Sequence, residues 1–178
     1  MYTSTMKLKT KTILIFIIAS YLILSVVIAD DEDKQKGKYK EYDIRAEGGW
    51  TDLMIDAGYL MGGAGTDLID MYESNSDATL LDIRFPKKDE TWRFDVRKSD
   101  TTWFSDLSLY IRRTGSGSGS GSISGGNSYI EILDIDREFF SGNGHLNNIP
   151  LQYKLSGVSV QVPPSTYSTT VIFTIVDL

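Results

Sequence analysis

The sequence predicts an all-β protein, an immunoglobulin-like or jelly-roll β-sandwich of about nine or ten short antiparallel strands. Three observations predict it. Beyond residue 41, short runs carry apolar residues at every second position. Gly, Asn, Ser, Asp or Pro separates these runs, and no stripe with the helical period follows residue 29. Side chains alternate faces along a strand, so each run buries one face and wets the other.

The N-terminus is different in kind. "MKLKTKTILIFIIASYLILSVVIA" carries Lys7, Lys9 and Lys11, then an apolar run from Ile13, and ends on the small residue Ala29 before acids begin. That order of basic, apolar and small is the grammar of a secretory signal. The expectation is a signal-peptide helix over 1–29, cut after Ala29, with an uncleaved anchor as the alternative. As a helix, Ile13 to Ala29 reaches roughly 25 Å at about 1.5 Å per residue, short of the roughly 30 Å hydrocarbon core. Export places the protein in the secreted or cell-surface compartment, and a membrane is a partner only if the segment stays attached. Residues 30–40, "DDEDKQKGKYK", hold too little apolar surface to order themselves and read as a flexible charged leader.

Residues 41–178 then form one domain. "TDLMIDAGYL" and "TDLIDMYES" read as weak strands on either side of "MGGAG", whose glycines suit a turn. "TLLDIRF" sets Leu81, Ile83 and Phe85 on one face, and "TWRFDVR" sets Trp92, Phe94 and Val96. The Pro86 to Glu90 stretch between them reads as the turn of a hairpin. "DLSLYIRR" turns Leu107, Leu109 and Ile111 inward, and "IPLQYKL" does so with Ile149, Leu151, Tyr153 and Leu155. "VSVQV" follows with Val158, Val160 and Val162. The last run, "YSTTVIFTIVDL", is apolar on both faces over Val171 to Val176, as a strand covered on both sides would be.

The Gly/Ser tract at 114–128 resembles an engineered linker. The roughly 75 patterned residues before it and roughly 50 after it are each too few for a comfortable independent core. It is therefore expected to be a solvent loop inside one domain, capping a hairpin from Ile111 to Ile130 or crossing between sheets. A Gly-rich strand packed on by another chain is the alternative.

Composition excludes several function classes. With 18 basic against 24 acidic residues, a formal charge of −6, the chain should repel phosphate backbones, so no nucleic-acid partner is expected. There is no cysteine, hence no disulfide, which for an exported chain points to a prokaryotic surface protein held by packing alone. The glycines of the tract are out of register for a nucleophile elbow, and no phosphate-binding loop occurs. The single histidine, His145, stands in a turn without an evident partner.

Two sets of candidate site residues remain. Asp134, Asp136 and Glu138 in "DIDRE", and the pair Asp100 and Asp106, are oxygen donors of the kind calcium takes, though neither set matches an EF-hand loop. The reading is a solvated acidic face with no cofactor, calcium being the alternative. Trp50 and Trp103 are the tryptophans that alternation does not assign to the core, and they are candidates for an aromatic binding platform.

The closing stretch "VSVQVPPSTYSTTVIFTIVDL" resembles the final strands of secreted pilin and spore-coat-U-type subunits, where a Pro-containing turn and a Tyr precede an alternating last strand. The resemblance covers about the last 30 residues and implies an immunoglobulin-like subunit of a surface appendage or coat, in which an N-terminal extension pairs with the next subunit by strand addition. In this chain "YKEYDIRAE", with Tyr42, Ile44 and Ala46 alternating, is the segment that fits such a role. The expected function is a non-enzymatic surface protein, structural, assembling or adhesive, with other copies of itself or surface polymers as partners. A carbohydrate-binding module is the second expectation, and a secreted hydrolase using paired carboxylates the third.

Overall fold

The computed structural model describes residues 43–50, 53–62, 65–84 and 90–178 in full, and the backbone alone over 11–18 and 21–28. The expected cleavage site, the charged leader, Tyr42 and Phe85 lie outside the described residues. The strands are β1 (Lys11–Ile18), β2 (Tyr21–Ile28), β3 (Asp43–Gly48), β4 (Tyr72–Glu73), β5 (Thr79–Arg84), β6 (Thr91–Thr102) and β7 (Ser108–Arg113). There follow β8 (Ser118–Gly119), β9 (Ser122–Gly125), β10 (Ile130–Glu131), β11 (Arg137–Asn143), β12 (Leu146–Ser156) and β13 (Ser168–Asp177). The count exceeds the expected nine or ten because of three two-residue strands and the N-terminal pair.

Two antiparallel sheets make a sandwich. One runs β2-β1-β13-β6-β11-β9 and the other β10-β7-β12-β5-β3, with β4 and β8 also paired to β12. Among the described residues the only helical element is a single 3-10 turn at Ala57–Tyr59. The helix expected for the N-terminal apolar run is replaced by the β1–β2 hairpin, which pairs with the edge of β13. The sequence there is rich in Ile and Val, whose branched side chains favour extended backbone.

The core lies between the sheets and follows the predicted alternation. Trp92, Phe94 and Val96 of β6 face Leu109 and Ile111 of β7 and Ile149, Leu151 and Tyr153 of β12, all without solvent exposure. Phe94 stacks on Phe140 at 4.8 Å and tilts against Phe173 at 5.3 Å, so aromatic rings form the spine of the first sheet. Strand β13 is buried on both faces from Ser168 to Phe173; of the run expected to be covered on both sides, residues 171–173 are buried and 174–176 half-buried.

Three expectations about connections are corrected. Strands β5 and β6 do not form a hairpin: β5 pairs with β3 and β12, β6 with β11 and β13, so the chain crosses from one sheet to the other between them. Alternation specifies which face is inward, and it does not specify a neighbour. The "VSVQV" run is no strand. Gly157, at φ +83°, ends β12, a turn closes with Val162 N–H donating to Ser159 O at 3.1 Å, and Val160 is left 60 % exposed. The two weak strands around "MGGAG" reduce to one bridge, Leu60 to Leu68, and the short β4.

The Gly/Ser tract is ordered. Ile111 and Ile130 are direct partners, as expected of its two ends, yet between them β8 pairs with β12 and β9 with β11, carrying the chain from the second sheet to the first. Arg113, buried, holds the tract in place by donating to Gly125 O at 2.6 Å, Gly115 O at 3.0 Å and Ser116 Oγ at 3.2 Å. Burial lowers the pKa of this guanidinium, and the carbonyls supply the acceptors it needs.

Buried tyrosines give the fold a pH dependence. The Tyr153 hydroxyl lies 3.0 Å from Thr79 Oγ1 in the core, and desolvation raises its pKa, as it does for Tyr72. Tyr129 is pushed up to about 12, mainly by burial, with the Glu73 carboxylate adding to the effect. A phenol that ionises near 10.0 when unfolded and later when folded contributes stability below pH 10 that is lost as pH rises toward the folded values. Phenolate absorbance on base titration is expected to rise in two stages, the late stage coinciding with loss of near-ultraviolet circular dichroism. A single step near pH 10 from all ten tyrosines with the fold intact would contradict this.

Candidate binding cleft

At the end of the sandwich where β6 gives way to β7 and β12 ends, a cleft of about 320 Å³ opens. Three segments build it. The chain leaving β3 supplies Trp50, Leu53 and Ile55, the β6–β7 connection supplies Trp103 and Leu107, and the β12–β13 connection supplies Val158, Val162 and Tyr167. Leu107 and Val158 belong to a second small core with Tyr72, separate from the main one.

Local chemistry fixes each wall. Gly157 N–H donates to Asp70 Oδ1 at 2.9 Å, and Val160 N–H donates to Asp67 Oδ1 at 2.8 Å, so two aspartates lash the 157–160 turn to the 67–70 loop. The Tyr167 hydroxyl donates to Pro163 O and closes the Pro-Pro segment. Trp103 Nε1 donates to Leu107 O at 2.7 Å, which fixes the indole, and Lys98 Nζ sits 5.1 Å from its ring. Lys98 is itself paired with Asp100.

Trp50 and Trp103, 53 positions apart in a sequence that left both unassigned, thus line one cleft. The other candidates do not converge. Asp136 lies 3.5 Å from Arg97, and Glu138 acts on Arg93, whose main partner is Asp95 at 2.8 Å. Asp100 accepts from Thr169 Oγ1 and Lys98, while Asp106 accepts from Ser105 at 3.1 Å. Among the described residues no three His, Asp or Glu side chains are placed to hold one metal ion. His145 is half-exposed in the β11–β12 turn with its Nε2 2.8 Å from Asn147 Nδ2. The donor segment suggested by resemblance is used internally: Ile44 and Ala46 are buried in the chain's own core, with β3 paired to β5.

Sequence reasoning missed Leu53, Val158 and Val162 as wall residues. The available signal was "VPPSTY", because two prolines cannot continue a strand ladder and force the chain into a wall beside Tyr167. Comparison with protein-family models, with curated proteins and with solved structures finds no match.

Proposed function

We propose that the protein is an exported, non-enzymatic β-sandwich with an adhesive or assembling role at the cell surface, exercised by binding through the apolar cleft. The observation that carries this reading is that Trp50 and Trp103 come together in an open cleft whose described lining includes no Asp, Glu, His, Lys or Arg. Such a lining favours binding over proton transfer, which requires a titratable group positioned at the reacting atom. Its size and apolar character suit a pocket that takes a ligand by burial. The order of the N-terminal residues supports export, and the resemblance of the last strands supports a surface subunit.

A neutral fluorescent hydrophobe, N-phenyl-1-naphthylamine, is expected to bind and quench tryptophan emission, and Trp50→Ala or Val162→Glu is expected to weaken it at least tenfold. Ser159→Trp, which fills the cleft without removing a wall, guards against mere loss of fold. Undiminished binding in all three variants, or none in the parent, overturns the cleft as the binding site.

A carbohydrate-binding module is the second reading, favoured by the same two tryptophans. Sugar hydroxyls need polar partners, and the described lining offers the hydroxyl side chains of Ser159, Ser165 and Thr166 besides Tyr167. Retention on insoluble polysaccharide, lost in Trp50→Ala, would put that reading in place of the first.

A further inference from the structure

We infer that the cleft is a docking site for a cationic amphipathic polypeptide segment, an inference that rests on the cleft being a binding site. Two features point to it. The first is charge. Asp56, Asp67, Asp70 and Asp106 are exposed in the segments that form the cleft, and residues 50–71, 103–109 and 155–167 contain no Lys or Arg. Lys98, whose ammonium lies beside Trp103, is matched by Asp100. The rim is therefore anionic while the floor is apolar.

The second feature is the apolar surface that begins with Met54 in the cleft lining and runs on beyond the mouth. Met54 and Val160 are 70 % and 60 % exposed, and the same loop leaves Met61, Ile69 and Met71 open to solvent. That loop is tied to the 157–160 turn through Asp67 and Asp70, so apolar and acidic groups share one continuous surface. A small molecule would be held by the cleft alone; an apolar surface running past it suits an extended chain. Methionine is unbranched and polarizable, and it adapts to apolar side chains of differing shape. Carboxylates interleaved with it select Lys and Arg on the partner and reject acidic sequences.

The test is calorimetric titration of the full chain with a twelve-residue Leu/Lys amphipathic peptide, the same peptide with Glu for Lys, and the neutral naphthylamine. The Lys peptide is expected to bind, to displace the naphthylamine, and to weaken at least tenfold between low and high salt, while the Glu peptide does not bind. Met54→Lys with Val160→Lys should weaken the Lys peptide at least tenfold. Ser120→Lys with Leu178→Lys adds the same charge at the opposite end, where Leu178 N–H bonds Thr91 O, and should leave binding unchanged. Equal weakening by both pairs would reduce the attraction to overall charge and overturn the inference. Naphthylamine binding with no preference for the Lys peptide would overturn it while sparing the cleft, and failure of both ligands would remove the cleft itself.

Discussion

Replacing Gly119 by Ala is expected to lower the melting temperature by about 10 °C, and Gly121→Ala by somewhat less, while Ser118→Ala and Ser120→Ala leave it nearly unchanged. The tract repeats every second residue because its alternate glycines lie against neighbouring backbone, where only a hydrogen atom fits. A Cβ on Gly117 would lie 2.4 Å from Asn147 O, one on Gly119 2.3 Å from His145 O, and one on Gly121 2.1 Å from Asn143 O. The glycines step forward by two as the opposed carbonyls step back by two. Backbone cannot swing aside as a side chain can, so each methyl overpacks the contact, at about 1–3 kcal/mol. Gly119 also sits at φ +146°, where an L side chain adds roughly 1–2 kcal/mol. A total near 3 kcal/mol corresponds to about 2–4 °C per kcal/mol in a chain of this size. The intervening serines face solvent. A thermal melt of the four variants decides the matter. Equal, small shifts across all four would mean that the tract does not pack against the backbone of the β11–β12 connection.

The same tract shows what was legible and why. Period-two alternation correctly located the buried faces of β6, β7, β12 and β13, because a sandwich buries one face of each strand and the pattern records burial directly. It left the short strands inside 114–128 unread because an alternation of Gly and Ser carries no hydropathy contrast; the information lies in the missing Cβ, which matters only beside a particular carbonyl. Pairing was equally hidden. Nothing in Leu81, Ile83 or Trp92 says that β5 and β6 belong to opposite sheets. Trp50 and Trp103 could be nominated because alternation failed to place them, but their meeting depends on a turn that Gly157 initiates 54 positions beyond Trp103. The partner of one acidic candidate was hidden for a related reason. Asp136 stands opposite Arg97, a partner from another strand that local spacing does not reveal.

Gly157→Ala is expected to abolish cleft binding as well as to destabilise the fold, and Gly65→Ala supplies its control. A Cβ on Gly157 would stand 1.8 Å from Asp106 O and 2.8 Å from the Asp106 carbonyl carbon, with φ at +83°. Gly65 has nearly the same φ, +90°, and nothing within 4 Å. Both substitutions therefore carry the conformational cost of about 1–2 kcal/mol, and the overlap belongs to Gly157 alone. That overlap is with backbone next to Leu107, and Gly157 is next to Val158, so relief of the clash must part the two residues that form the cleft floor. It must also strain the bond from Gly157 N–H to Asp70 Oδ1 that holds the turn to the neighbouring loop. The expected result is a melting temperature lowered by about 10 °C, at about 2–4 °C per kcal/mol, and naphthylamine affinity reduced more than tenfold at temperatures where the variant is still folded. Gly65→Ala should lose only a few degrees and keep its affinity. If Gly157→Ala binds normally while folded, the cleft does not depend on the turn, and the geometry described for its floor is wrong.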